Sequence, residues 1–526
     1  MKRITKLQCR KQLLLLLPAA FFALAPVAWS SPQVAATRSP ATVERMIEQG
    51  QLDTAEKQLW SVLTRQPENA PALRLLGEIR VRQNRLPEAE SLFKRALEID
   101  PKLVPARRKL AELYVEEGRR EDAKAAFEAV LQTDPADLSA KLALGVLHEE
   151  MAEFEKSLEI LSSIPAAKRP LSALPVLASD YFALKQPEKV LALKTIFESG
   201  AASRPEVLPR FARVLVENGY VDDASELLKT AAPSRRSDRD YLLVRARVEE
   251  SQGNVKAAES TLAVAAKKYP DLFDAPLQLA RLASEQKEYS AEVAWLEKAL
   301  NIEPENPEAL RHLSLAQMRA GSPAAAVATA KRLYTAHPQD PNAIYLLAVS
   351  LANHSEWHEA RSVAEKLVAA RDEPRSRVVL GMALLNDGDI DGASREIERA
   401  LQQDPKEMEA RYYRGVIARQ RGDLSGALAE IETVVVANPQ HALAQAELGT
   451  LSIQLGNLAE ARTALEHAVR LQPDVPENHY QLGLVYGRLG LQDKAREQMA
   501  EFQKLKAAAD RNRSGEGLPK DEKPSS

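Results

Sequence analysis

Between residues 408 and 490 one pattern is written twice: Gly415, Gly422, Ala427, Ile431 and Pro439, then Gly449, Gly456, Ala461, Leu465 and Pro473. Each residue returns 34 positions later. A chain that repeats at this interval needs no single central core, because each repeat buries its apolar face on its neighbours. The small residue at Ala427 and Ala461 can be followed through Ala55, Ala89, Ala123, Ser157, Val190, Ala224, Ala258, Glu292, Ala326, Ala360, Ala393 and Ala495, fourteen positions of which eleven are Ala. Two of the intervals fall one short of the period and the rest keep it. A small side chain at one fixed place predicts two helices crossing closely there.

Five residues before these positions stand Gly50, Gly118, Gly219, Gly253, Gly321, Gly388, Gly422, Gly456 and Gly490, with Asn84 in the same place. Gly or Asn just past a helix end takes the left-handed conformation that closes the last turn. Pro67, Pro101, Pro135, Pro270, Pro304, Pro338, Pro405, Pro439 and Pro473 recur near the end of the repeat. Proline cannot continue the hydrogen-bond ladder and turns the preceding residue away from helix, so each marks the stop of a second helix.

This register resembles the tetratricopeptide repeat over about residues 40 to 506. The resemblance implies an all-α fold, a right-handed α-solenoid of about fourteen helix-turn-helix repeats whose first helices line a concave face, with a C-terminal capping helix. The expected organisation is repeats one to six over 40–238, repeats seven to fourteen plus the cap over 239–510, and a disordered tail over 511–526. Repeats four to six diverge: the terminal Pro is missing, and Pro165, Pro170, Pro187, Pro205 and Pro233 fall irregularly. That predicts altered curvature or a joint between about 165 and 240; ordinary drift with longer turns is the competing reading. In repeat seven, Arg245 and Glu249 stand where Leu and Tyr are usual.

Residues 1–30 read as an export signal: Lys2, Arg3, Lys6, Arg10 and Lys11 precede an apolar run from Leu13 to Ala25 and the small-residue step Ala28-Trp29-Ser30, with a linker over 31–39. A periplasmic or secreted location follows. An uncleaved anchor is the alternative, although Pro18 interrupts the run and a span needs about 20 apolar residues. Cleavage removes the only cysteine, Cys9, and five positive charges, taking the net charge from -3 to -8. Nothing in that balance suggests a nucleic-acid partner, which calls for a basic face.

Catalytic signatures are missing from the sequence: it holds no GxxxxGK[ST] loop, no H-E-x-x-H and no G-x-S-x-G. His354 and His358 are four apart, but the turn between helices falls at Ser355 and separates them. A metal-dependent hydrolase built on them is the remote alternative; zinc also needs third and fourth ligands, and none is identified. No cofactor is expected.

In the family it resembles, slots two, five, nine and twelve of each first helix face the groove. Slots five and nine of repeats ten to fourteen are Tyr345, Val349, Val378, Met382, Tyr412, Val416, Ala446, Thr450, Tyr480 and Leu484. Such a strip takes a peptide with apolar anchors, unless neighbouring first helices bury it against one another. Arg213, Arg247 and Arg281, each one period from the last, share one groove slot and form a candidate ladder for an anionic ligand or polymer. Pairing of Arg213 with Glu217, Arg247 with Glu250 and Arg281 with Glu285 is the alternative. The Lys and Asn clamp of the chaperone-binding members is absent, since those slots hold Arg74, Glu78, Arg108, Glu112, Leu142 and Val146. The expected function is a non-catalytic exported scaffold that binds a protein or peptide, in assembly of envelope, secretion or polysaccharide-export machinery.

Overall fold

The computed structural model describes residues 40–200 and 206–513; residues 1–39, where the signal and linker are expected, and 514–526, most of the expected tail, lie outside them. All regular structure among the described residues is helical, in 28 α-helices. Odd numbers are first helices and even numbers second helices, giving the fourteen repeats that the register implied.

The chain divides into two compact bodies, 1–261 and 262–526. The N-terminal body holds α1 (Pro40–Glu48), α2 (Leu52–Arg65), α3 (Ala70–Arg82), α4 (Leu86–Ile99), α5 (Val104–Glu116), α6 (Arg120–Thr133), α7 (Leu138–Glu150), α8 (Phe154–Ser162), α9 (Leu174–Ala183), α10 (Pro187–Gly200), α11 (Leu208–Glu217), α12 (Val221–Lys229), α13 (Arg239–Ser251) and the start of α14 (Val255–Lys268). The C-terminal body holds α15 (Asp274–Glu285), α16 (Tyr289–Ile302), α17 (Pro307–Arg319), α18 (Pro323–Ala336), α19 (Pro341–Asn353), α20 (Trp357–Ala370), α21 (Pro374–Asn386), α22 (Ile390–Gln403), α23 (Met408–Gln420), α24 (Leu424–Ala437), α25 (Ala442–Gln454), α26 (Leu458–Leu471), α27 (Pro476–Arg488) and α28 (Gln492–Arg513). Within each body most helices pack on the next, and most consecutive first helices also touch one another. No comparable contact joins consecutive second helices among the described residues, so the first helices form the inner row.

The recurring residues have direct physical roles. A Cβ placed on Gly415 would stand 2.8 Å from Cδ1 of Ile431 and 3.3 Å from the carbonyl oxygen of Ala427. The Gly, the Ala and the large apolar residue four further on are therefore one contact: two helices close enough that backbone nearly meets backbone. Ala427 and Ile431 are fully buried there. The same contact recurs one period on, where Gly449 faces Leu465. First helices start on side-chain caps where the sequence allows it: Asn69, Asp137 and Asn306 accept from the backbone N–H groups of Ala72, Ala140 and Ala309 at 2.8 to 3.0 Å.

All nine glycines of the turn slot have positive φ, as has Asn84. The other four repeats force Ala152, Lys185, Lys287 and Ser355 into the same left-handed region, at φ 59°, 58°, 62° and 64°. Their residue types gave no sign of it; only the register did. An L side chain there costs about 1 kcal/mol relative to glycine. Lys287 is exposed, so Lys287→Gly is expected to raise stability by roughly 0.5 to 1 kcal/mol, and Gly422→Ala to lower it by a similar amount, read from urea midpoints.

The divergent repeats are shorter in their helices. α8 and α12 have 9 residues where most second helices have 14, and α9 and α11 have 10. Three 3-10 turns, Ala166–Lys168, Leu171–Ala173 and Pro233–Arg235, follow or begin at Pro165, Pro170 and Pro233. Proline ends the helix early, and the 3-10 turn carries the chain to its next start. In α13, Arg245 and Glu249 pair at 2.7 Å, and Thr261 donates to the same carboxylate at 2.7 Å. At the other end α28 runs to 22 residues, the expected cap being the continuation of the last second helix.

Candidate binding face

The inner row of the C-terminal body places the slot-five and slot-nine residues on successive first helices. In its middle the strip is packed. Tyr345, Val349, Met382 and Tyr412 are half-buried against the core, and Val378 and Val416 are buried within it. Arg375 closes over Tyr345, its Nη2 and Nε donating to the phenol oxygen at 2.9 and 3.2 Å with the guanidinium carbon 4.7 Å from the ring centroid. Burial pushes the hydroxyls of Tyr412 and Tyr413 far above the ordinary tyrosine range.

Tyr412 lies edge-on to Tyr413 at 5.0 Å and 5.4 Å from the ring of His441. His441 caps α25: its Nδ1 accepts from the Ala444 N–H at 3.2 Å, which places the proton on Nε2, facing Glu409 at 3.1 Å. Arg375, Glu409 and His441 thus form a polar margin along an aromatic strip. Arg375 and Glu409 hold slot two of their helices, one period apart, and extending the register by that one slot finds them in the sequence.

Toward the C-terminus the strip opens. Leu443 is 48% exposed, Tyr480 43% and Leu484 39%. The Tyr480 ring lies 5.2 Å from that of Phe502. Ala446 and Thr450, between them in register, are small and half-buried. The fold therefore closes half the strip and presents the other half to solvent.

The arginine residues fall differently. Arg213 and Arg247, in the N-terminal body, make no side-chain hydrogen bond or ion pair among the described residues; Arg213 is half-buried. Arg281, in the C-terminal body, is exposed and pairs with Glu285 at 2.7 Å. His354 ends α19 and faces Glu356 at 3.5 Å, whereas His358 lies on α20 and faces Asp387 at 3.6 Å. Among the described residues no group of three or more His, Cys, Asp or Glu is placed to hold a metal ion. No described helix is long and apolar enough to cross a membrane.

Stacked helical hairpins at a nearly constant period, with a face made by their first helices, define a helical-repeat protein. The chain belongs to the tetratricopeptide repeat family: two family models described as tetratricopeptide repeat match residues 210–273 and 378–442, and 46–113, 81–130 and 114–174, and one described as TPR repeat matches 449–490. A model of anaphase-promoting complex, cyclosome, subunit 3 matches residues 285–367. Among solved structures, the APC/C hetero-tetramer Cut9-Hcn1 shares 16% identity at a TM-score of 0.42, over 88% of this chain and 92% of that one. A tetratricopeptide repeat protein from Parabacteroides merdae shares 16% identity at a TM-score of 0.44, over 48% of this chain and 99% of that one. No curated protein matches the chain.

Proposed function

We propose that the protein is a non-catalytic, exported scaffold whose inner face captures an extended or helical peptide of a partner, in the assembly of envelope, secretion or polysaccharide-export machinery. The observation that carries the binding half is the run of Leu443, Tyr480 and Leu484, exposed on the face of the first helices. Large apolar side chains grouped on a surface mark interaction sites, and apolar anchors at helical spacing are what a groove offers to a peptide. The export half is supported by the basic, apolar and small-residue order of residues 1–30.

Tyr480→Asp and Leu484→Asp place charges on exposed positions and leave the core untouched. Each is expected to reduce capture of a partner from an envelope fraction at least tenfold while far-ultraviolet circular dichroism is unchanged. Full capture by both variants would overturn the assignment. Tyr412 is unsuited to this test, because a charge beneath Tyr413 and His441 would report on folding.

A further inference from the structure

The register shows what each second helix requires on its inner side. On α24, Ala427, Ile431 and Val434 are fully buried, and on α26 Ala461, Leu465 and Ala468 are at most 1% exposed. The cover on α26 is the following first helix, α27, whose Leu482, Val485 and Tyr486 pack with Ala461 and Leu465. One period later, α28 presents Ala495, Met499 and Phe502 in the same places, and all three are only half-buried. No further first helix follows among the described residues. In its stead is a cleft of about 450 Å³ lined by Gly483, Leu484, Gly487, Arg488, Ala495, Arg496 and Met499. A Cβ on Gly487 would meet nothing within 4 Å.

We propose that this end face docks one amphipathic helix of a partner protein, in the position that a fifteenth first helix would take. The repeat's own interface supplies the geometry: a helix with apolar residues three and four apart, crossing Ala495 and Met499 as α27 crosses Ala461 and Leu465. Charge narrows the chemistry. Arg496 is held by Asp493 at 2.5 Å, but Arg488 has no ion pair among the described residues, so the docking helix carries a carboxylate toward it. Two of the chain's own segments are poor occupants. Val43 and Ile47 of α1 are already buried, and residues 514–526 hold one large apolar residue, Leu518, too few for a stripe.

The probe is a fluorescein-labelled synthetic peptide copying residues 474–490, the segment that covers α26, titrated with the full-length protein by fluorescence anisotropy. Saturable binding is expected, weakened at least tenfold by Met499→Lys or Ala495→Arg in the protein and by Leu482→Asp in the peptide. Val264→Asp, on an exposed position elsewhere in the C-terminal body, should leave it unchanged. Absence of saturable binding, or indifference to Met499→Lys with helicity intact, overturns the proposal. Light scattering provides a second arm: a dimer that Met499→Lys dissolves would give the face to a second copy of this chain and overturn the assignment to a partner. Leu443→Asp, on α25 and outside the cleft lining, separates the result from the inner-face reading: it is expected to lose capture from an envelope fraction and to keep peptide binding, whereas Leu484 belongs to both surfaces.

Discussion

Arg319→Ala is expected to destabilise the C-terminal body by about 2 to 3 kcal/mol, less than a wholly buried pair because the Arg319 side chain is 40% exposed, and adding Glu292→Ala to restore most of that loss. Glu292 occupies the slot that eleven other repeats fill with Ala, and it is 2% exposed. It is tolerated because Arg319 of α17 reaches back to it, Nη2 donating to Oε1 at 2.8 Å. The same guanidinium donates from Nη1 to the Ser284 hydroxyl at 3.2 Å and lies 5.2 Å from the Tyr289 ring centroid. The other carboxylate oxygen, Oε2, is buried without a partner, so the ion pair has little to spare. Burial pushes the Glu292 carboxyl upward and Arg319 pulls it back. Removing Arg319 leaves a charge in an apolar contact, whereas removing both groups returns the slot to the Ala of its neighbours. Urea unfolding of the two single variants and the double variant measures the coupling. A loss under about 1 kcal/mol for Arg319→Ala would show that water reaches Glu292 and that the pair is dispensable.

That pair marks the limit of what register alone can tell. The period revealed the number of helices, their turns and the close crossings, because a small residue, a left-handed turn and a helix stop are each dictated by backbone geometry within one repeat. Gly415, Ala427 and Ile431 were legible for that reason. Glu292 appeared only as an exception, since its compensation comes from Arg319 in the next repeat, a choice of side chain that no backbone rule requires. Burial of the strip was illegible for a related reason. Whether Tyr345 and Tyr412 face solvent depends on how closely neighbouring first helices approach, and on Arg375, Tyr413 and His441 folding over them. The strip is exposed at Leu443, Tyr480 and Leu484, although the register of Tyr480 and Leu484 differs in nothing from that of Tyr345 and Val349.

In the N-terminal body the corresponding exception is Asp180, and it is expected to make stability depend on pH. Asp180 is fully buried in α9, at a step where other first helices carry Ile79, Leu113, Leu147, Val248 and Leu282. Ser157 of α8 donates to its Oδ2 at 2.6 Å, and Oδ1 has no partner. Burial raises the carboxyl from 3.8 to about 7, with the Ser157 bond opposing the shift and the nearby Glu149 adding to it. Glu149 is itself buried and accepts from the Ser179 hydroxyl at 2.8 Å, so it offers Asp180 no cation. Since the folded pKa lies above the unfolded one, the fold binds this proton the more tightly. The contribution is whole below about pH 4, declines as pH rises toward 7, and is lost above it; the difference between the two pKa values corresponds to roughly 4 kcal/mol. Asp180→Asn keeps the shape and the bond to Ser157 without the charge. It is expected to match the parent near pH 4 and to exceed it by several kcal/mol at pH 8, with slower amide exchange in α8 and α9 after correction for the intrinsic rate. Equal unfolding midpoints for parent and Asp180→Asn at pH 8 would mean that the carboxylate is hydrated where it lies, and that the contact between α8 and α9 opens to water in the native state.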